Sequence, residues 1–123
     1  MKVVRNLKYR TLFSGLGVAS VTPFKSDFSV DELAIQNICN YFIKSKVSFV
    51  VVQGTTGESS TLSENEKEFV NDFFIKNLYS KIPLVLGIGS NNTNDIISKL
   101  KSFDLSHFDA IMSVCPYYTK PSQ

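Results

Sequence analysis

The sequence predicts an α/β fold, in which parallel strands alternate with helices that cover them. Four short apolar runs each end in a polar turn that carries glycine or proline, and three segments of helical periodicity lie between them. The second run, residues 49–53, is nearly all apolar, as expected for a strand covered on both faces. This alternation means a parallel sheet with helical cover, and doubly wound sheets and barrels both begin in this way.

The first predicted strand spans residues 18–21 and stops at Thr22 and Pro23, because proline lacks the amide donor that a sheet needs. After a turn, Ser29 and Glu32 have the spacing of a capping box, which starts a helix. The apolar residues of this helix recur at intervals of three and four and are Ile35, Ile38, Cys39 and Phe42.

The second predicted strand, residues 49–53, leads into a second helix. Ser63 and Glu66 have capping-box spacing and mark the start of that helix. Its apolar face consists of Val70, Phe73, Phe74 and Leu78.

The third predicted strand spans residues 84–88, and Asn92 or Thr93 caps the helix that follows it. The apolar side of this third helix consists of Ile96, Leu100 and Phe103. The fourth strand spans residues 110–114 and stops before Pro116.

Composition fits one ordinary globular domain. Of the 123 residues, 43% are hydrophobic and 20% are charged, which excludes a disordered chain. The net charge is only +2 and the lysines are spread along the sequence, so we expect no nucleic-acid surface.

Cys39 and Cys115 are expected to be buried free thiols in a reducing compartment. His107 stands alone, so no metal is expected. No apolar stretch has membrane-spanning length, and the cytoplasm is the expected location.

The most informative stretch is the turn after the second strand, residues 54–59 (Gly-Thr-Thr-Gly-Glu-Ser). Gly54 and Gly57 permit backbone angles and close approaches that a Cβ atom would forbid. Two threonine hydroxyls and bare amides suit a small carboxylate, which hydrogen bonds can hold without a full counter-charge. The alternative is a plain strand–helix connection whose threonines and serine cap the next helix.

Two observations favour a barrel over a doubly wound sheet. No GxGxxG follows the first strand, which argues against a dinucleotide-binding fold. The candidate site residues follow the second and fourth strands, and barrel enzymes gather such residues at the carboxyl ends of their strands.

Three further stretches follow the same pattern of an apolar run and a polar turn. They are residues 17–24 (Gly-Val-Ala-Ser-Val-Thr-Pro-Phe), 84–91 (Leu-Val-Leu-Gly-Ile-Gly-Ser-Asn) and 115–123 (Cys-Pro-Tyr-Tyr-Thr-Lys-Pro-Ser-Gln). Together with the turn at 54–59, and in this order and spacing, they resemble the dihydrodipicolinate synthase (4-hydroxy-tetrahydrodipicolinate synthase) family. That family belongs to a wider group of pyruvate-dependent Schiff-base aldolases and lyases. The resemblance covers nearly all of residues 15–123.

The resemblance implies an α/β fold that is the N-terminal half of a (β/α)8 TIM barrel, truncated after strand 4. Complete barrels of this kind take about 250 residues. Residues 1–14 would then form a leader, and residues 15–123 an incomplete barrel with strands 1–4 and helices 1–3.

The resemblance also implies a reaction. In the family, pyruvate forms an imine with a lysine amine, and the enamine attacks aspartate semialdehyde in the diaminopimelate route to lysine. Such a lysine is activated by desolvation. No lysine here is embedded in a strand-like apolar run. We therefore expect the Schiff-base lysine to be absent from this chain and the isolated chain to be inactive. Apart from that covalent imine, no cofactor is expected.

The resemblance assigns roles to single residues. Thr55 matches the hydroxyl that passes protons along a relay and contacts the substrate, and Thr56 matches the residue that holds the carboxylate of pyruvate. Tyr118 matches the relay tyrosine that reaches across a subunit interface, and relay chemistry suits hydroxyls because they both donate and accept. Glu58 is expected to be structural. An ordinary interface role is the alternative for Tyr117 and Tyr118.

Some family members are inhibited by lysine at a subunit interface. The positions that match that site are Ser59, Asn91, Asp95 and Tyr117. Glu64 and Lys67 stand where strongly regulated members carry histidines, so we expect weak lysine feedback or none. The expected partners are pyruvate, aspartate semialdehyde and further copies of the chain in a homotetramer, with no nucleic acid and no membrane.

Two alternatives to the synthase remain open at this point. One is a related activity, that of an N-acetylneuraminate lyase or a keto-deoxy-sugar-acid aldolase, although residues 54–57 and 116–121 fit the synthase better. The other is a non-catalytic truncated half-barrel, which assembles with a second polypeptide or has no activity.

Overall fold

The computed structural model describes residues 11–118 of the chain, so the predicted leader lies largely outside the described residues, as do Lys120, Pro121 and Gln123. Four strands form one parallel sheet in the order β1-β2-β3-β4. The strands are β1 (Gly17–Ala19), β2 (Phe49–Val52), β3 (Leu84–Ile88) and β4 (Ala110–Ser113). The helices are α1 (Glu32–Lys44), α2 (Glu64–Leu78) and α3 (Thr93–Ser102). The predicted alternation of strands and helices is confirmed.

The core lies between one face of the sheet and the helices. Val50 and Val52 of β2, and Leu84 and Leu86 of β3, belong to one buried apolar cluster. The helices contribute to this cluster through Ile35, Cys39, Phe42, Val70, Phe74 and Leu78. Because side chains alternate along a strand, Val51 and the neighbouring Val85 lie on the opposite face of the sheet. The three helices thus cover one face of the sheet.

Local hydrogen bonds set the start of α2 as predicted. The Ser63 hydroxyl accepts a hydrogen bond from the Glu66 amide at 3.3 Å, and the Glu66 carboxylate accepts one from the Ser63 amide at 2.8 Å. The capping box is therefore confirmed, and it satisfies two amides that the first turn leaves without partners. At α3, Asn92 rather than Thr93 is the cap, and its Oδ1 accepts from the Asn94 amide at 3.0 Å.

The capping box predicted at Ser29 and Glu32 is wrong. Asp31 caps α1, and its Oδ1 accepts a hydrogen bond from the Ala34 amide at 2.9 Å. The Ser29 hydroxyl instead donates to Asp27 Oδ1 at 2.7 Å. An antiparallel bridge between Phe24 and Val30 keeps the backbone extended up to Asp31, so the helix cannot begin earlier.

Strand ends differ from the predicted ones by one or two residues. The first strand is β1, Gly17–Ala19, rather than residues 18–21. The pairing continues past it through the Ser20 amide, which donates to the Val51 carbonyl at 2.9 Å. The second strand ends at Val52, because Gln53 adopts the left-handed conformation, and the fourth strand ends at Ser113.

The two cysteines occupy different environments. Cys39 is buried, and desolvation raises the pKa of its thiol to about 12, so it stays protonated and unreactive at neutral pH. Cys115 is exposed, so the expectation that it is buried is wrong. It lies just beyond β4, where the described elements provide no cover.

No helix within residues 11–118 is both long enough and apolar enough to cross a membrane.

The outer strands of the sheet leave apolar surface open. β1 and β4 each pair on one side only within the described chain. The exposed fractions are 40% for Ile111, 46% for Met112 and 50% for Val114. An unpaired strand edge beside exposed apolar side chains is a strong signal for association.

We therefore predict that the isolated 123-residue chain is not a stable monomer. It should aggregate, or pair two copies edge to edge, while keeping a helical circular dichroism signal. Sedimentation velocity of the purified chain at low micromolar concentration is the measurement. A monodisperse monomer with a cooperative thermal transition would contradict this prediction.

Candidate active site

The turn after β2 is built on unusual backbone angles. Gln53 and Glu58 both adopt the left-handed conformation, with φ of 58° and 54°. Between them, Thr55–Gly57 form a single 3-10 turn, in which the Gly57 amide donates to the Gly54 carbonyl at 3.0 Å. Left-handed angles at non-glycine residues cost about 1–3 kcal/mol each, and such strain collects at functional sites. The surrounding structure must therefore hold this turn in place.

Two contacts hold the beginning of the turn. The Gln53 side chain is buried, and its Nε2 donates to the Lys67 carbonyl of α2 at 3.1 Å. Gly87 of β3 lies directly beneath the turn: a Cβ atom on Gly87 would come within 2.6 Å of the Gln53 carbonyl oxygen and 2.9 Å of the Gly54 nitrogen. Neither Gln53 nor Gly87 was predicted from the sequence as a site residue. The available signal for Gly87 was a glycine inside an apolar strand, which often marks a close backbone approach.

The turn presents its two threonines to solvent. Thr55 and Thr56 are exposed, and no hydrogen bond joins either hydroxyl to another residue within 11–118. The Glu58 amide donates to the Thr55 carbonyl at 3.0 Å, a backbone bond that involves neither threonine hydroxyl. The carboxylate-binding role of this turn stays a prediction.

A cleft of about 610 Å³ opens beside the turn, between the carboxyl ends of β2, β3 and β4 and the helices α2 and α3. We call it the polar cleft. Four of the predicted site residues line it: Thr55, Ser59, Asp95 and Tyr117. Thr56, Asn91 and Tyr118 do not line it. The structure therefore brings three of the four candidate regulatory residues together and leaves Asn91 outside.

One carboxylate joins the two helices across the polar cleft. Glu64 Oε1 of α2 accepts from Lys67 Nζ at 2.9 Å and from Lys99 Nζ of α3 at 3.0 Å. Hydrogen bonds from Lys67 and then from Lys99 lower the pKa of the Glu64 carboxyl. Its carboxylate is half-exposed, so the stabilisation is small. Lys99 is a cleft residue that sequence analysis missed, because nothing in the sequence pairs it with a residue 35 positions away.

A second carboxylate of the polar cleft lacks a cationic partner among the described residues. Asp95 Oδ2 accepts from the Ser90 hydroxyl at 3.3 Å, and the same hydroxyl accepts from the Asn92 amide at 3.0 Å. Ser90 was also missed by sequence analysis. It ties the turn after β3 to the first turn of α3 and so fixes the position of Asp95.

Two buried amide side chains line the same cleft. Gln53 and Asn71 are each 6% exposed, and Gln53 Oε1 and Asn71 Oδ1 have no hydrogen-bond partner in the described part of the chain. Such groups are costly unless they are hydrogen-bonded. These two side chains, one after β2 and one on α2, make the inner wall of the cleft polar.

The two tyrosines after β4 point in different directions. Tyr117 is 49% exposed and lines the polar cleft. Tyr118 is 92% exposed, with φ of 75°, and lies outside the cleft. A tyrosine as exposed as Tyr118 is free to contact a second chain.

No group of three or more histidine, cysteine, aspartate or glutamate side chains within residues 11–118 is placed to hold a metal ion.

Comparison with known proteins matches this arrangement to one family. The model of the dihydrodipicolinate synthetase family matches residues 12–123. The chain belongs to this family. Its β/α units form the N-terminal half of a (β/α)8 barrel, and the polar turn lies at the carboxyl end of the second strand, where barrel enzymes place their active sites.

Members of the dihydrodipicolinate synthetase family are similar to this chain in sequence and in structure. Over 111 residues the chain is 53% identical to the 4-hydroxy-tetrahydrodipicolinate synthase of Flavobacterium psychrophilum. The aligned region covers 90% of this chain and 38% of the relative. The solved structure of dihydrodipicolinate synthase from Thermotoga maritima matches with a TM-score of 0.84 at 33% identity. The matched region covers 90% of this chain and 37% of the Thermotoga maritima chain. The chain thus spans well under half of the length of these relatives.

One solved relative carries a different name. N-acetylneuraminate lyase from Mycoplasma synoviae matches with a TM-score of 0.75 at 29% identity, and covers 87% of this chain and 37% of that one. The half-barrel is therefore shared by more than one named activity.

We predict that Gly87→Ala destabilises the chain by about 1–3 kcal/mol, because its methyl group would displace the backbone of Gln53 and Gly54. Gly54→Ala is the matched control. A Cβ atom at Gly54 would meet only ordinary contacts, at 3.7 and 3.8 Å, and φ there is −75°. This control should change the stability by less than about 1 kcal/mol. Because the isolated chain is expected to self-associate, both variants are made in a fusion of this chain to the remainder of the Flavobacterium psychrophilum relative. Thermal midpoints by circular dichroism measure both effects, and equal midpoints for the two variants would contradict the close approach.

Proposed function

We propose that this chain is the front half of a pyruvate-dependent Schiff-base synthase that condenses pyruvate with aspartate semialdehyde in the diaminopimelate route to lysine. The observation that carries the proposal is the strained turn after β2, which displays Thr55 and Thr56 at the carboxyl end of the sheet. Left-handed residues at both ends of the turn are the kind of backbone strain that collects at functional sites. Membership of the dihydrodipicolinate synthetase family supports the same reaction.

Within this proposal, Thr56 binds the carboxylate of pyruvate through its hydroxyl and backbone amide. Thr55 contacts the substrate and passes protons along a relay of hydroxyls, which suits a group that both donates and accepts. Tyr118 completes the relay in a neighbouring subunit, and its 92% exposure supports a role between chains. This role requires a homo-oligomer, for which we propose a tetramer in the cytoplasm.

We place the imine-forming lysine outside residues 11–118. The lysines within this range lie on helices or in loops, and none lies on a strand. Lys67 and Lys99 line the polar cleft, but both amines donate to Glu64, so neither is free to attack a carbonyl carbon. The reaction therefore needs a lysine from outside residues 11–118, and we propose that it needs no other cofactor.

For the candidate regulatory residues, we propose weak binding of lysine at most. Ser59, Asp95 and Tyr117 line the polar cleft, where Asp95 offers a carboxylate to an ammonium group. Lys67 and Lys99 place two positive charges on the same cleft, and one glutamate neutralises only one of them. Asp95 balances the remaining positive charge, so the cleft as a whole offers a cationic ligand no net attraction.

A lyase acting on N-acetylneuraminate is the second candidate, since one solved relative of that name shares the half-barrel. The synthase is preferred because the sequence Gly-Thr-Thr-Gly at residues 54–57 and the sequence at 116–121 fit the synthase better.

We predict that the isolated chain forms no imine with pyruvate. Incubation with pyruvate and borohydride, followed by intact-mass measurement, should show no adduct. A fusion of this chain to the remainder of the Flavobacterium psychrophilum relative is the positive control and should trap one pyruvate per chain. A stoichiometric adduct on a lysine of the isolated chain would contradict the prediction, and a fusion that traps pyruvate but does not consume aspartate semialdehyde would favour the lyase.

In the same fusion, Thr55→Val and Thr56→Val should have different effects. Thr56→Val removes a hydrogen bond to a carboxylate worth about 1.5–3 kcal/mol, so KM for pyruvate should rise about 10- to 150-fold. Thr55→Val should mainly lower kcat, because it interrupts proton transfer and leaves the carboxylate contacts in place. Steady-state kinetics decide between these outcomes, and equal effects on pyruvate affinity would refute the division of roles.

A further inference from the structure

We propose that Thr22 is a positioning residue that locks the Thr55–Thr56 turn in its strained shape through the backbone carbonyl of Gly57. The Thr22 hydroxyl donates to this carbonyl at 2.7 Å, and the bond joins residues 35 positions apart. Thr22 is only 5% exposed, so water does not compete for the contact. This is the one side-chain hydrogen bond that reaches the turn from β1 and its extension among the described residues.

The backbone on both sides of Thr22 is held by hydrogen bonds. Ser20, two residues before Thr22, pairs with β2 through its amide, which donates to the Val51 carbonyl at 2.9 Å. On the other side of Thr22, the Pro23 carbonyl accepts from the Asp31 amide at 2.9 Å. Thr22 is thus fixed on both sides, and its hydroxyl acts as an immobile donor.

Gly57 fits against the same segment. A Cβ atom on Gly57 would lie 3.1 Å from the Ser20 carbonyl oxygen and 3.5 Å from the Thr22 hydroxyl oxygen. The absence of a side chain therefore lets the turn come close enough for the hydrogen bond. Gly57 is buried, as a tight contact of this kind requires.

The locked group is the peptide plane between Gly57 and Glu58. Glu58 follows this plane with φ of 54°, an angle that a glutamate does not favour. Rotation of the plane would relieve this strain, and glycine at position 57 offers little resistance to the rotation. It would also break the hydrogen bond from the Glu58 amide to the Thr55 carbonyl, which measures 3.0 Å. The Thr22 hydroxyl opposes the rotation because it holds the carbonyl of the plane.

The consequence for Thr55 and Thr56 rests on the proposed function. With the plane locked, the hydroxyls and amides of the turn stay in one arrangement before a carboxylate arrives, so binding does not have to order them. Without the lock, the turn would sample several arrangements and bind a carboxylate more weakly.

The test compares the wild-type chain with Thr22→Val, Thr22→Ser and Thr61→Val. Valine keeps the shape of threonine and removes the donor, whereas serine keeps the donor. Thr61→Val is the matched control, because the Thr61 hydroxyl also donates to a backbone carbonyl of this loop, that of Glu58 at 2.8 Å, but at an exposed position. Hydrogen exchange by mass spectrometry tolerates self-association and resolves peptides that cover residues 54–61 and residues 67–78 of α2.

We expect the peptide at 54–61 to exchange about five- to tenfold faster in Thr22→Val, the factor that loss of one buried hydrogen bond gives, with α2 unchanged. Thr22→Ser should restore the wild-type rate, and Thr61→Val should stay within about twofold of it. Unchanged exchange at 54–61, equal acceleration in α2, no rescue by serine, or loss of folding in both Thr22→Val and Thr22→Ser would each overturn the proposal.

A second measurement separates this proposal from the proposed function. Broadening of the pyruvate methyl signal in proton NMR reports binding of pyruvate to the same four chains. Weaker binding in Thr22→Val alone supports both proposals. If the wild-type chain does not bind pyruvate, the assigned role of Thr56 fails in the isolated chain, while the exchange rates still decide the role of Thr22.

Discussion

The candidate site depends on the contact between the Gln53–Gly54 peptide and Gly87 of the neighbouring strand. The backbone of β2 must turn sharply out of the sheet with a left-handed residue at Gln53. This turn passes so close over β3 that no side chain fits at Gly87. The rest of the site follows from this crossing, because it sets where the chain emerges and hence where Thr55 and Thr56 are displayed.

Contacts from three different elements hold the strained turn at residues 53–58 in place. The Gln53 side chain is hydrogen-bonded to α2, Gly87 gives clearance on β3, and Thr22 holds the far end of the turn from the extension of β1. Each contact is modest on its own. Together they fix a turn that an isolated peptide of the same sequence would not keep, since strained conformations persist only where the surroundings determine them from several sides.

The polar cleft is shaped by charged side chains rather than by backbone strain. Glu64, Lys67 and Lys99 form a bridge between α2 and α3 with one positive charge in excess, which the Asp95 carboxylate of the same cleft balances. Within residues 11–118, the hydroxyl of Ser90 is the one side-chain partner of that carboxylate. The bridge is partly solvated, so its value lies less in stability than in the charge that it presents to a ligand. The pKa of Glu64 is lowered by the two lysines, so the bridge is present at neutral pH and is lost as the pH falls through that lowered value.

Short-range pattern was sufficient to predict the order of strands and helices, the capping box at Ser63 and the position of the turn at residues 54–59. These features depend on residues a few positions apart, so the sequence by itself determined them. The start of α1 at Asp31, the clearance at Gly87, the link from Thr22 to Gly57 and the pairing of Glu64 with Lys99 each depend on chain segments from different parts of the fold. Only the tertiary structure decided them, because periodicity states which face of an element is buried and does not state which atoms meet there.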